Sequence, residues 1–569
     1  MAPGDDSSPL EQLSARVEQL ERRLSALERA REIRSADLEQ DEAGISANRG
    51  PRETPSAQPQ LSVFSVFGRA VLGIAGAYLL RAAAESGAFP SWIAIALALA
   101  YAASWLVWAA WPGPQTRLAR HTFAITAALI LSPMLWEVTV RFRMLEPPVT
   151  AAVLVAFALL AMALAWRSNV SAVAWVGMLT AVVSALILMA AARALVPFTW
   201  AVLVMALMSE FAAIRGRWPR LRPVVTVAVD FAVLTLIIIL GDRRSVPAEY
   251  RAVDASEIIG LVTAFFSVYA GSTAIRSLVL GLKIKLLAAV QFTAAVLLAS
   301  WAVIRVTQGG GLVALGLSFL IAGLGCYFAA FGWLARQPER PNFGFYAAWG
   351  VGFVMAGSFL ALPSPPLVIG LCVAAVMASW LAVRVRSPAL DLHGVVYLSG
   401  AVSASGLLGY GGRALAGAYP AGPGALPVVA AATAFLCAAM VSRYPGDRVG
   451  ERLLRLLPAV LAVYGTAALA VAALVWLFAH GAAPALPQLA VIRTVVTCAA
   501  VLLLAFAGAR LQRLELVWIA YATAILGSLK LVVEDMRLGS TLSLATSLLI
   551  YGVVLILIPR LVRAGKRWA

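Results

Sequence analysis

The sequence predicts an all-α fold, a polytopic transmembrane helical bundle of about eighteen spans with a short N-terminal coiled coil. Three observations lead there. Apolar runs of about 17 to 24 residues recur from Leu61 to Pro559, each long enough to cross roughly 30 Å of hydrocarbon at 1.5 Å per residue. The chain is 61% hydrophobic and 13% charged, with mean hydropathy +0.87, too apolar for a soluble globular protein of 569 residues. Ahead of the runs, apolar residues recur at heptad spacing.

The N-terminal segment, residues 1–34, contains LEQLSARVEQLERRLSALERARE, where Leu10, Leu13, Val17, Leu20, Leu24 and Leu27 follow at alternating three- and four-residue steps. That is an a/d seam with Glu and Arg in the remaining positions. It is expected to pair, through residues 10–31, with a second copy or a partner helix; the alternative is an amphipathic helix lying on the membrane or on the protein's own inner loops. Residues 35–60, SADLEQDEAGISANRGPRETPSAQPQ, have almost no large apolar side chains and read as a flexible polar linker.

Residues 61–569 form the expected membrane domain. Its spans lie near 61–82, 92–111, 122–140, 149–166, 171–192, 197–214, 223–240, 257–275, 286–305 and 311–334. They continue near 344–361, 366–383, 393–409, 426–441, 456–479, 489–508, 514–533 and 541–559. Helices are required because a spanning segment satisfies its own backbone hydrogen bonds, and runs this long lack the alternation of barrel strands. No basic-then-apolar leader with a small-residue cleavage site precedes them, so the first span is expected to be the insertion signal.

The formal net charge of +17 does not predict nucleic-acid binding, because the basic residues are scattered over short loops. With the N-terminus cytoplasmic, about twenty-four Lys and Arg fall on inner loops, from Arg117 to Arg567, against about ten on the other side. That asymmetry is the positive-inside bias and places both termini in the cytoplasm. Trp92, Trp111, Trp166 and Trp518 sit near span ends, as interfacial tryptophans do.

Cys326, Cys372, Cys437 and Cys498 fall singly inside spans with no CxxC spacing and read as small core residues. His121, His393 and His480 are far apart in the chain, so no metal site is predicted and no cofactor is expected. Connections are too short for a soluble catalytic domain. The two longest outer ones are GDRRSVPAEYRAVDASE and YGGRALAGAYPAGPGALP; the second is either a re-entrant, pore-lining segment or an ordinary exposed loop.

A charge at the centre of a span costs roughly 2.5 to 3.5 kcal/mol on insertion scales, so each needs a reason. The spans contain Arg69, Glu137, Glu210, Asp230, Arg493 and Lys530, with Arg81, Glu85, Arg141, Arg143, Glu534 and Asp535 at outer ends. Thr523, Gly527, Lys530 and Glu534 follow at steps of four, three and four, one polar or small stripe on an otherwise apolar helix that should face protein or water. Lys530 and Glu534 can pair at i,i+4. The first and third spans bring Arg81, Glu85, Glu137, Arg141 and Arg143 to the same depth, so an outer polar cluster with Lys530 and Asp535 is expected. It is either a path in which Lys530 binds an anionic group and Glu137 or Glu534 handles protons, or a set of ion pairs that locks helices. Asp230, in VAVDFAVL, either accepts hydrogen bonds from a neighbour or relays protons. Glu210 reads as a boundary residue beside Arg215. Arg69 opens GRAVLGIAGAYLLRA, whose Gly68, Gly73 and Gly76 suit a packing helix.

The segments FGRAVLGIAGAYLLRAAAESGAFPSW, HGVVYLSGAVSASGLL and ELVWIAYATAILGSLKLVVEDMRLGSTLSLATSLLIYGVVLILIPRL resemble the bacterial multispanning membrane proteins grouped as domain of unknown function 2339. The shared plan is an N-terminal coiled coil, a polar linker and a long series of membrane helices. Lys530, a few apolar residues, then Asp535 match that family's terminal pattern, whereas Glu534 and Arg537 depart from many of its members. The resemblance implies a bacterial cytoplasmic membrane and names no reaction.

The expected function is therefore that of a transporter- or flippase-like envelope protein, with the lipid bilayer as its surroundings. The alternative is a membrane scaffold that gathers partners through its coiled coil. A membrane-embedded transferase has the weakest support: the first outer loop offers only Glu85, and no His/Asp cluster or nucleophile motif accompanies it.

Overall fold

The structure, a computed structural model, describes residues 68–79, 82, 90–111, 117–242, 244–337, 342–417, 422–441, 449–479, 485–538 and 541–565. The expected coiled coil at 1–34 and linker at 35–60 lie outside the described residues, as do Arg81, Glu85 and His480. Every regular element among the described residues is helical, the arrangement that keeps backbone groups satisfied in hydrocarbon. The chain divides into two compact units, residues 1–130 and 131–569.

The first unit holds α1 (Gly68–Leu79), α2 (Ser91–Ala110) and the first part of α3 (Arg117–Trp136). Tyr101 Oη on α2 donates to the Gly73 carbonyl at 3.1 Å. A methyl group at Gly73 would overlap the Trp105 ring, and one at Gly76 would stand 2.6 Å from the Tyr101 hydroxyl. The packing expected of α1 is therefore carried by Gly73 and Gly76 and not by Gly68, which has no such neighbour within 4 Å.

The second unit continues with α4 (Pro147–Ser168), α5 (Ser171–Ala191), α6 (Leu195–Ile214), α7 (Leu221–Leu240), α8 (Ala255–Ala274) and α9 (Leu286–Val306). α4 packs on α5 and α6, α5 on α6 and α7, α6 on α7 and α8, and α9 on α7 and α8, so that α6 and α9 stand between the chain neighbours α7 and α8. Then come α10 (Leu312–Tyr327), α11 (Phe343–Ala361), α12 (Ser364–Val385), α13 (Pro388–Ala404) and α14 (Leu407–Ala416). The C-terminal group is α15 (Ala425–Val441), α16 (Val449–Ala479), α17 (Leu486–Arg510), α18 (Leu514–Lys530) and α19 (Thr541–Gly565). Here α17 packs against α16, α18 and α19, and α16 against α14 and α15. The buried seams are dominated by Ala, with Val and Leu between them, as expected where close van der Waals packing must hold helices together in lipid.

Among the described residues, fifteen helices are long and apolar enough to cross a membrane, or sixteen if one bent pair counts as a span. The expected count of about eighteen therefore stands only in its coarser form, a many-helix bundle. The run expected at 61–82 is described only as α1, and the one at 426–441 is a shorter apolar helix, Ala425–Met440. The run at 393–409 is not one straight span: α13 and α14 meet at 67°. Gly406 holds φ +75 at the corner, a conformation that glycine adopts without steric cost, and the Leu407 N–H turns to the Ser405 hydroxyl at 3.3 Å.

Candidate functional site

The C-terminal helices bring four charges together. Four residues after the α18 helix begins its last turn, the backbone widens into a π-turn over Leu531–Asp535. Such a turn stacks residue i over i+5. Lys530 accordingly pairs with Asp535, and its nearest approach to Glu534 is an ion pair at 3.7 Å. The expected i,i+4 pairing is thus the longer of the two contacts, because it assumes the regular α repeat that the π-turn interrupts.

The ammonium group of Lys530 has three protons, and all are donated: to the Ala490 carbonyl at 2.7 Å, to Thr494 Oγ1 at 2.6 Å and to Asp535 Oδ1. Thr494 in turn donates to Asp535 Oδ2 at 2.9 Å. Asp535 is buried and Lys530 half-buried. The stripe read from the sequence does face protein: Gly527 is buried, and a Cβ there would stand 3.0 Å from the Tyr551 ring of α19 and 3.3 Å from the Thr497 methyl of α17. Thr523, one turn further on, is half-buried.

Arg493 completes the network and was not expected to be its centre. It is 2% exposed, in the first third of α17. Its Nη1 donates to Glu534 Oε1 at 2.5 Å. Its Nε donates to the Ala414 carbonyl at 2.7 Å, and Nη2 to those of Gly417 at 2.8 Å and Arg413 at 3.1 Å. Arg413 and Ala414 are in the last turn of α14 and Gly417 directly follows it; carbonyls at a helix end lack a full set of partners within the helix, although that of Arg413 also accepts from the Gly417 N–H at 3.0 Å, and a cation there complements the helix dipole. Glu534 Oε2 is buried and accepts no hydrogen bond among the described residues. Two cations and two carboxylates thus tie α14, α17, α18 and the π-turn into one unit.

The segment expected as a re-entrant piece or a loop is now placed. Residues 407–416 form α14, which buries Leu407, Tyr410, Gly411 and Ala414 and exposes Gly409, Gly412 and Arg413. Tyr464 of α16 donates to the Leu408 carbonyl at 2.6 Å, supporting the backbone just past the corner.

The other sequence candidates separate from this network. Glu137 opens a π-turn over Glu137–Arg141 at the end of α3, where Thr139 bonds Thr150 of α4 at 2.8 Å. It is not among the partners of Lys530. Arg141 and Arg143 are exposed. Asp230 on α7 accepts a hydrogen bond from Gln291 Nε2 of α9 at 2.7 Å, the neighbour that one of its two readings required. Glu210 is not a boundary residue: it is 1% exposed, accepts from Arg222 Nε at 2.5 Å and from Ser272 Oγ at 2.5 Å, and so joins α6, α7 and α8. Arg215 instead lies over the Phe211 ring, 5.1 Å from its centroid. Burial of an uncompensated carboxylate is too costly for any other arrangement. His393 meets the Tyr327 hydroxyl at 3.1 Å, and that hydroxyl meets Tyr397 at 2.5 Å, a polar contact between α10 and α13. The four cysteines are free thiols, three of them buried.

Arg493 is legible in the sequence as a charge inside an apolar run; its partners are not, since they lie 41 and 76 to 80 residues away in the chain. Comparisons with protein families, with curated proteins and with solved structures each find no match.

Proposed function

We propose that this protein is a transporter- or flippase-like carrier of a bacterial cytoplasmic membrane, with cytoplasmic termini and with the resemblance to domain of unknown function 2339 as its kinship. The observation that carries the reading is the broken helix α13–α14, whose second half ends on a buried arginine held by Glu534. Membrane carriers commonly build their paths from discontinuous helices, because the interrupted backbone is tolerated only where it is buried in protein or lines a water-filled cavity. The face of α14 that carries Gly409, Gly412 and Arg413 is the candidate wall of that path. The Arg493–Glu534 and Lys530–Asp535 pairs anchor the wall; because the ammonium protons of Lys530 are all engaged, the lysine acts as a brace in this state and not as the anion-binding group.

The test is water access. In a chain with Cys326, Cys372, Cys437 and Cys498 replaced by alanine, Gly412→Cys is treated with a membrane-impermeant maleimide in sealed vesicles. Labelling is expected, with a several-fold higher rate when Arg493→Met releases the end of α14. A Gly412→Cys that resists labelling from both sides of the membrane, in both backgrounds, would count against a path and in favour of the scaffold reading, which the heptads of residues 10–31 support.

A further inference from the structure

We propose that Asp230 is a reversible proton-binding site in the middle of the membrane, carrying its proton on Oδ2 while Oδ1 accepts from Gln291. On the carrier reading above, on which this step rests, Asp230 is the group that couples transport to protons. It lies halfway along the 20 residues of α7, about 14 Å from Leu221 at 1.5 Å per residue, in a helix long and apolar enough to span. Three other acids held among the helices each meet a cation: Glu210 meets Arg222, Glu534 meets Arg493 and Asp535 meets Lys530. Asp230 meets none among the described residues. Its hydrogen-bond partner is the neutral amide of Gln291, itself 4% exposed.

Charges on the surrounding helices are engaged or remote. The α5 helix carries none. The one on α6 is Glu210, bound to Arg222 of α7 and Ser272 of α8. That on α9 is Arg305, in its last turn and ion-paired to Asp242 at 4.0 Å. On α8, Glu257 sits in the first turn, and the Tyr269 hydroxyl donates to Thr226 of α7 at 3.4 Å. An amide donor does not cancel a charge, and an isolated carboxylate in a low-dielectric interior takes up a proton. A metal ion fits less well: it needs several oxygen ligands, and the described residues hold no group of three or more His, Cys, Asp or Glu. Protonation leaves the Gln291 bond intact, because a neutral carboxyl keeps an acceptor and gains one donor. Asp230 is half-buried at the edge of the seam, and Val227 and Phe231 beside it are exposed, so the carboxyl can be reached from outside the bundle.

The full chain and Asp230→Asn, purified in detergent, are compared by infrared difference spectroscopy. At neutral pH the parent is expected to show the carbonyl stretch of a protonated carboxyl that the variant lacks, and alkaline pH should convert it to carboxylate bands. Asp230→Asn, neutral and of the same shape, should melt within a few degrees of the parent. The parent alone is also treated with dicyclohexylcarbodiimide, whose nitrogen takes the proton of a neutral carboxyl as the carboxyl oxygen adds to its central carbon, and the adducts are mapped by mass spectrometry. Asp230 should be modified several-fold faster than Glu210, whose charge is held by Arg222, and replacing potassium chloride with sodium chloride should not change the rate. Carboxylate bands at neutral pH, an Asp230 no more reactive than Glu210, or protection by sodium, which would mark a metal-cation site, would each overturn the proposal. None of these readouts uses Gly412→Cys, so the proton site and the carrier reading fail separately.

Discussion

Lys530 donates to a carbonyl, a hydroxyl and a carboxylate, and the removal of any one of these leaves polar groups stranded in a helix bundle. Breaking a buried pair from one side costs about 3 to 5 kcal/mol, whereas removing both partners is often nearly neutral. Lys530→Met is therefore expected to lower the melting temperature and membrane accumulation of the chain, and Lys530→Met with Asp535→Asn to recover most of the loss. Lys530→Met with Glu534→Gln should recover less, because Glu534 belongs to Arg493 at 2.5 Å and stands 3.7 Å from the lysine. Thermal unfolding of the four proteins side by side is the measurement. Equal recovery by both doubles would mean that the π-turn does not choose the partner. At this scale the sequence pointed the stripe Thr523, Gly527, Lys530 and Glu534 away from lipid, toward protein or water, since polar residues on one side of an apolar helix are costly in hydrocarbon. It could not show that Asp535 is the partner, since nothing local announces a π-turn. Glu210 illustrates the same limit: beside Arg215 in the chain it looks like an interfacial residue, and only the approach of α7 and α8 supplies Arg222 and Ser272.

The element that distinguishes this bundle is the corner between α13 and α14. It needs a left-handed residue, and Gly406 at φ +75 supplies one. A residue with a Cβ pays roughly 1 to 2 kcal/mol there. Gly406→Ala should therefore destabilise the chain by about that amount. It should also raise the labelling of Gly412→Cys, because a strained corner loosens the half-helix that Arg493 must hold. Differential melting together with maleimide rates checks both; a variant that melts and labels like its parent would show that α14 is positioned from its C-terminal end alone. The Gly and Pro content of residues 410–427 marked the region in the sequence. It favoured an exposed loop over a re-entrant segment without deciding between them, because the choice depends on contacts with α16 and α17 that are at least 50 residues distant.

For the whole molecule, the described helices from Gly68 to Gly565 bury apolar seams against one another within each unit. A chain lacking residues 1–60 should therefore accumulate in membranes and melt within a few degrees of the full-length protein. Loss of the folded protein on truncation, followed by fluorescence size-exclusion chromatography and melting, would show that the N-terminal helix is part of the fold. If the truncated protein folds but its cells lose the phenotype of the full chain, the scaffold reading gains over the carrier.

The sequence by itself determined that the chain is a many-helix membrane protein and roughly where each helix runs. Those properties follow from the length and apolarity of contiguous segments, which lipid and backbone hydrogen bonding read locally. It also marked Arg493 and Lys530 as charges in need of compensation. Only the tertiary structure decided what compensates them and that one expected span is broken in two. Ion pairs, caps and cavities are made by groups near in space and far apart in the chain, and no local pattern fixes which of them meet.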